Sequence, residues 1–152
     1  MKSRTFVALL LCNILILVTG QNTISDNFYD KSEKCFDQLH VPQRYKATFQ
    51  AFRYPDEEIV HKYVHCLAMK LEIWTNRSGF NIEKIYNQYR NRVNDEIMLP
   101  TISNCNRSAQ NSNKELWCYR AFLCILNTDV GKWFKEDVQR SRQANNVPNG
   151  HH

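Results

Sequence analysis

The sequence predicts an all-α domain of about six helices, stapled by disulfides, and three observations carry that prediction. Apolar residues recur at helical spacing in segment after segment, and no segment alternates at strand period for long. Pro42, Pro55 and Pro100, with the Asn76–Gly79 and Asn127–Gly131 stretches, punctuate those segments. Five cysteines, at 35, 66, 105, 118 and 124, follow an N-terminal stretch that reads as a secretory leader.

That leader is expected over residues 1–20. Lys2 and Arg4 precede an apolar run from Phe6 to Val18, and Val18 and Gly20 stand where a signal peptidase cuts, so the mature chain is expected to start at Gln21. Cys12 leaves with the leader. Loss of Lys2 and Arg4 takes 20 basic residues to 18 against 15 acidic ones, a formal charge of +3, too mild for a nucleic-acid-binding footprint. After Gly20 no apolar stretch approaches the roughly 20 residues that span a bilayer. A secreted, extracellular protein with no membrane partner is therefore expected, as one domain over residues 21–144 with a disordered tail at 145–152. Asn76-Arg77-Ser78 and Asn106-Arg107-Ser108 are glycosylation sequons, expected on surface loops.

The elements follow in order. Phe28, Cys35, Phe36 and Leu39 mark a first helix closed by Pro42, and Tyr45, Phe49 and Phe52 a short second one ending before Pro55. Pro55 opens the third, with Asp56, Glu57 and Glu58 in its first turn and Ile59, Tyr63, Cys66, Leu67 and Trp74 as its buried stripe. Asn81 caps a fourth with Ile82, Ile85, Tyr86, Tyr89, Val93 and Ile97 on its apolar face, and Pro100 is expected to stop it. A polar stretch, Ser103 to Asn113, leads into a fifth helix with Leu116, Leu123 and Leu126. The last uses Trp133, Phe134 and Val138.

His61 and His65, four apart, imitate the start of a zinc-protease helix. The general base of such a site would sit beside the first histidine, where this chain has Lys62, a cation that can neither deprotonate a metal-bound water nor sit comfortably by a divalent ion. No third ligand stands at usable spacing, so no metal is expected. Only four glycines are present, and neither a phosphate-cradling loop nor a G-x-S-x-G element occurs. No cofactor and no enzymatic activity are expected.

Six residues of helix rise about 9 Å and turn about 240°, so Cys118 and Cys124 point apart and cannot bridge each other while helical. Pairing Cys35 with Cys66 and Cys105 with Cys124 would tie the first helix to the third and the 100s loop to the fifth, each bridge contributing roughly 3 kcal/mol. Cys118 would then be left as a buried thiol or as the link in a dimer of an otherwise monomeric protein.

With this cysteine spacing the chain resembles the insect odorant-binding superfamily, and most closely its D7-type salivary proteins. The likeness runs through "VHCLAMKLEIWTNRSGFNIEKIYNQY", "LPTISNC" and "YRAFLCILNTDVGKWF". The family's six-cysteine framework has a further bonded pair, one cysteine four residues before its third member and one nine before its sixth. If Cys66 and Cys124 are those members, the places fall on Lys62 and Glu115, so both partners of one bridge are absent together. The resemblance makes Cys66 a staple. It also implies helices around an internal cavity that encloses a small hydrophobic or amphipathic ligand.

Amine-binding D7 domains line that cavity with an Arg-Tyr pair, a histidine before the helical cysteine and an aromatic residue before the later one. By that resemblance Arg53, Tyr54, His65 and Phe122 become candidate ligand contacts, joined by the aromatic residues Tyr86, Trp133 and Phe134. The two carboxylates that would receive an amine fall at Gln139 and Arg142, with Glu136 and Asp137 nearby in another register. A buried ammonium without a counter-charge costs several kcal/mol, so a neutral or anionic lipid-like ligand suits this set better. Arg53, His65 or Arg140 is then available for a head group. The alternative from another class is a secreted protein that engages a host macromolecule through its surface and has a closed core.

Overall fold

The computed structural model describes residues 23–92 and 95–146. They form α1 (Ile24–Gln38), α2 (Tyr45–Gln50), α3 (Glu58–Lys70), β1 (Trp74–Thr75), β2 (Gly79–Phe80), α4 (Ile82–Tyr89), α5 (Asp95–Ser108), α6 (Lys114–Leu126) and α7 (Asp129–Asn146). The expected leader lies outside the described residues. So do residues 147–152 of the expected tail, whose first two residues instead complete α7.

Side-chain caps start three of the helices. Thr23 accepts from the Asp26 amide while Asp26 reaches back to the Thr23 amide, a complete capping box for α1. Asn81 caps α4 through the Lys84 amide, and Asn113 caps α6 through the Leu116 amide. The α3 and α6 helices pack along each other, and α1 lies along both α3 and α7. Cys35 of α1 is bonded to Cys66 of α3, and Cys105 of α5 to Cys124 of α6, so each bridge crosses a packed helix pair.

Several expectations are corrected. The helix expected to run from Ile82 to Pro100 is two helices: α4 ends at Tyr89, Val93 lies outside the described residues, and Ile97 sits on α5 with 62% of its surface exposed. Pro100 does not stop that second helix, because Met98, Ile102 and Cys105 form a single face with almost no exposure. Burial of three side chains outweighs one missing backbone hydrogen bond. Cys105 is accordingly helical, and only the end of the polar stretch is loop. Pro55 lies ahead of α3, which begins at Glu58 after the extended Glu57.

A further correction is a small sheet where only a turn was expected. Trp74 pairs with Phe80 and Thr75 with Gly79, with Gly79 at a φ of 81° that L side chains rarely adopt. Asn106 completes the ribbon from α5, accepting from the Phe80 amide at 2.9 Å and donating to the Phe80 carbonyl at 2.9 Å. It is 6% exposed, so the folded chain leaves no room for a sugar on the sequon nitrogen that was expected at the surface. Asn76 is exposed, and its oxygen accepts from the Trp74 indole. Cys118 has no exposed surface, which removes it as the link of a dimer between folded chains.

Candidate functional site

The helix faces converge on a cavity of about 50 Å³ whose walls are apolar throughout. Periodicity puts them there: Val64, Leu67 and Ala68 project from one side of α3, and Phe122, Ile125 and Leu126 from the facing side of α6. Phe28 of α1, Ile85 and Tyr89 of α4, and Phe134 of α7 close the remaining sides. The space is several times what one water needs, yet it offers a water no hydrogen-bond partner. Such a cavity selects by shape and apolarity.

The α7 wall depends on a close approach. Val130 and Gly131 sit against the end of α6, where a Cβ built on Gly131 would come 2.3 Å from the Leu126 carbonyl oxygen. Glycine is therefore what lets the last helix turn back over the cavity within a few residues. Phe134 then meets Phe28 edge-on at 5.2 Å and Phe52 at 6.2 Å.

Of the residues proposed from sequence as ligand contacts, Phe122 and Phe134 line this cavity. Tyr54 stands behind Phe122, edge-on at 5.0 Å, with its hydroxyl buried and unpartnered among the described residues and burial pushing its pKa far up. Arg53 is exposed. His65 is half-buried outside the cavity, 2.8 Å from the Asn76 side-chain oxygen. Tyr86 is half-buried on α4 and does not line the cavity, and Trp133 packs behind Tyr89 with ring centres 6.0 Å apart. His61 points elsewhere again, 2.6 Å from Asp56 and tilted over the Tyr119 ring. The aliphatic wall of α3 and α6 was missed, because a leucine at helical spacing looks the same whether it meets a neighbour or a void.

No carboxylate lines the cavity. Asp137 is buried one turn beyond Phe134, where Arg92 holds it at 2.7 Å and Arg140 at 3.4 Å. Gln139 is exposed. Arg142 lines a second, smaller cavity of about 20 Å³ on the other side of Phe28, with Ser32, Glu33, Lys46 and Tyr63 around it. Among the described residues no three His, Cys, Asp or Glu side chains gather in a way that would hold a metal ion, and no helix is long and apolar enough to cross a membrane.

This architecture has relatives. The chain is 26% identical over 135 residues to general odorant-binding protein 99a of Drosophila melanogaster, covering 85% of this chain and 93% of that one. The crystal structure of Anopheles gambiae odorant-binding protein 22a superposes with a TM-score of 0.56 at 18% identity, covering 78% of this chain and 96% of that one. A crystal structure of the same mosquito protein with the odorant cyclohexanone bound superposes at 0.55 and 17% identity, covering 76% of this chain and 94% of that one. Residues 20–128 match the PBP/GOBP family model, and with the helices, the bridges and the central cavity in place, the chain belongs to that family of odorant-binding proteins.

Proposed function

We propose that this protein is a secreted carrier or scavenger that encloses a small hydrophobic or amphipathic molecule in the cavity between α3 and α6. The observation that carries this reading is the uniformly apolar, partly aromatic wall at the centre of a bundle stapled across its helix pairs. A mosquito relative of this fold holds cyclohexanone, an uncharged ring of the kind such walls accept. The cavity is smaller than a typical ligand, so uptake involves rotation of wall side chains such as Phe28 and Phe134, which meet edge-on. The chemistry is non-covalent: no catalytic group faces the space, and the thiol of Cys118 is buried outside it.

The test is stoichiometric binding of N-phenyl-1-naphthylamine, a hydrophobic fluorescent probe, followed by displacement with cyclohexanone and with a fatty acid. Displacement of one probe per chain supports the carrier. A probe that is never taken up rejects it in favour of a surface-interaction protein, for which Ile97 and Leu99, both exposed on α5, are the first residues to vary. The D7-like motifs favour saliva and the odorant-binding relatives favour sensory fluid, and transcript levels in salivary gland and antenna decide between them.

A further inference from the structure

Asn76, Arg77 and Ser78 form the three-residue tip that joins β1 to β2, and all three are exposed. The Asn76 carboxamide is nevertheless held in one orientation. Its oxygen accepts from the Trp74 indole at 3.0 Å and lies 2.8 Å from the His65 Nε2. An indole N–H can only donate, so the atom it meets is the oxygen and the amide is not turned over. Against that oxygen the imidazole nitrogen must donate as well. Two donors therefore hold the oxygen inward, and Nδ2 points the other way, donating to no group among the described residues.

The second Asn-x-Ser sequence has the opposite arrangement. The Asn106 Nδ2 donates to the Phe80 carbonyl at 2.9 Å, in a residue only 6% exposed. Packing around this side chain is close: a Cβ built on Gly79 would come 2.7 Å from the Asn106 side-chain oxygen and 3.1 Å from the Trp117 ring. An N-linked sugar keeps the amide carbonyl as an acceptor and replaces a hydrogen on the nitrogen. It is thus compatible with every bond Asn76 makes. At Asn106 it would have to enter space that α5, α6 and the ribbon already fill.

We propose that Asn76 is the N-glycosylation site of this protein, and that the secreted chain carries a sugar there and none on Asn106. This rests on the secreted reading above and is independent of what the cavity holds. The transferred group is an oligosaccharide built on N-acetylglucosamine and supplied by a polyprenyl diphosphate donor. A bond forms between Asn76 Nδ2 and the anomeric carbon while the bond from that carbon to the diphosphate oxygen breaks. The polyprenyl diphosphate leaves with the bonding electrons, and the amide nitrogen gives up one proton. Ser78 supplies the hydroxyl that the acceptor sequence requires. Both asparagines are accessible while the chain is unfolded, so the folded state decides which product is kept. At Asn76 the sugar extends from the ribbon tip into solvent, and residues 76–78 line neither cavity described above. A chain modified at Asn106 cannot close α5 against β2.

Expression of the full 152-residue chain in cultured insect cells tests this, with intact-mass measurement and glycopeptide mapping of the protein recovered from the medium. Wild type should carry one oligosaccharide per chain, removed by peptide N-glycosidase with conversion of Asn76 to aspartate. Ser78→Ala should lose it, Ser78→Thr should retain it because the hydroxyl is kept, and Ser108→Ala should change nothing. If Ser78→Ala is not secreted, the glycopeptide map of wild type still locates the sugar. Secreted wild type with a bare Asn76, or with a sugar on Asn106, would overturn the assignment while leaving the secreted carrier intact. A chain that stays in the cytosol with neither asparagine modified would reject the secreted reading and the site with it.

Discussion

Asn106 holds Phe80 with both ends of its side-chain amide, one bond to the backbone N–H and one to the C=O, as a neighbouring strand would. The Trp117 indole donates to the Asn106 carbonyl at 2.9 Å, and Trp74, Phe80 and Trp117 meet edge-on at 5.0 Å. One asparagine thus ties α5, α6 and the ribbon together. Asn106→Ala leaves two buried backbone groups of Phe80 unpaired, each costing about 1–3 kcal/mol, so a loss of roughly 2–6 kcal/mol is expected by denaturant unfolding. Asn106→Asp keeps the acceptor but loses the donor and buries a charge. It should be no better than alanine.

Gly131→Ala places a methyl group against the Leu126 backbone, where no flexible side chain can yield. Either α7 moves away from α6 or the turn between them is rebuilt. Helix propensity alone would favour alanine by about 1 kcal/mol, so a net destabilisation in thermal melting would show that the close approach dominates. Because Gly131 also lines the cavity, probe affinity should change with it. An alanine variant as stable as wild type would contradict the packing.

Much of this was legible in the chain. Phe28, Cys35 and Phe36 declare the inner face of α1 by spacing alone, and the cysteines from Cys35 onward form a set whose family likeness points to the observed bridges. Pro100 misled because a proline's local cost is visible in sequence and the burial of Met98 and Ile102 that offsets it is not. Tyr86, Trp133 and Phe134 are all aromatic at helical spacing, yet only Phe134 faces the cavity, since which neighbour a helix face meets is a property of the assembled bundle. Lys62, on one of the two places where the resemblance puts the missing bridge, is instead paired with Glu58 along α3 at 2.5 Å. Asn106 read as a sugar acceptor because a sequon says nothing about burial.

Cys118 should be inert in the folded protein. It is fully buried, and burial pushes its thiol well above the ordinary value of 9.0, so the thiolate that reacts is scarce and inaccessible. Ellman's reagent should leave Cys118 unmodified under native conditions and react with it in guanidinium chloride. A thiol that reacts as fast before unfolding as after it would place Cys118 at the surface.

Alkaline pH should unfold the protein through its buried phenols. Burial is the main cause raising the Tyr63 pKa from 10.0 to about 12, with the Ser32 hydroxyl opposing it, and Tyr54 and Tyr89 are shifted further. Below pH 10 these groups are neutral in both states and stability is unaffected. Above it the unfolded chain releases protons that the folded chain retains, so stability falls as pH rises from 10 toward 12. The last tyrosinate absorbance should therefore appear together with the loss of far-ultraviolet ellipticity. Complete ionisation with full helicity would show that the phenols are open to solvent.

Biogenic amines should not bind. An ammonium in the apolar cavity would meet no carboxylate: Asp137 is engaged by Arg92 and Arg140, Gln139 is exposed, and Glu33 in the adjoining cavity is paired with Lys46 beside Arg142. Losing hydration without a counter-charge costs several kcal/mol, whereas each aromatic contact with an amine's ring returns about 1 kcal/mol. Calorimetry with serotonin, histamine or noradrenaline at micromolar concentrations should give no binding heat. If an amine does bind tightly and Asp137→Asn abolishes it, Asp137 must exchange Arg92 for the ligand. Because Arg92 would then be released, removing that arginine should strengthen amine binding, and a variant at Arg92 that leaves it unchanged would exclude Asp137 as the receiving carboxylate.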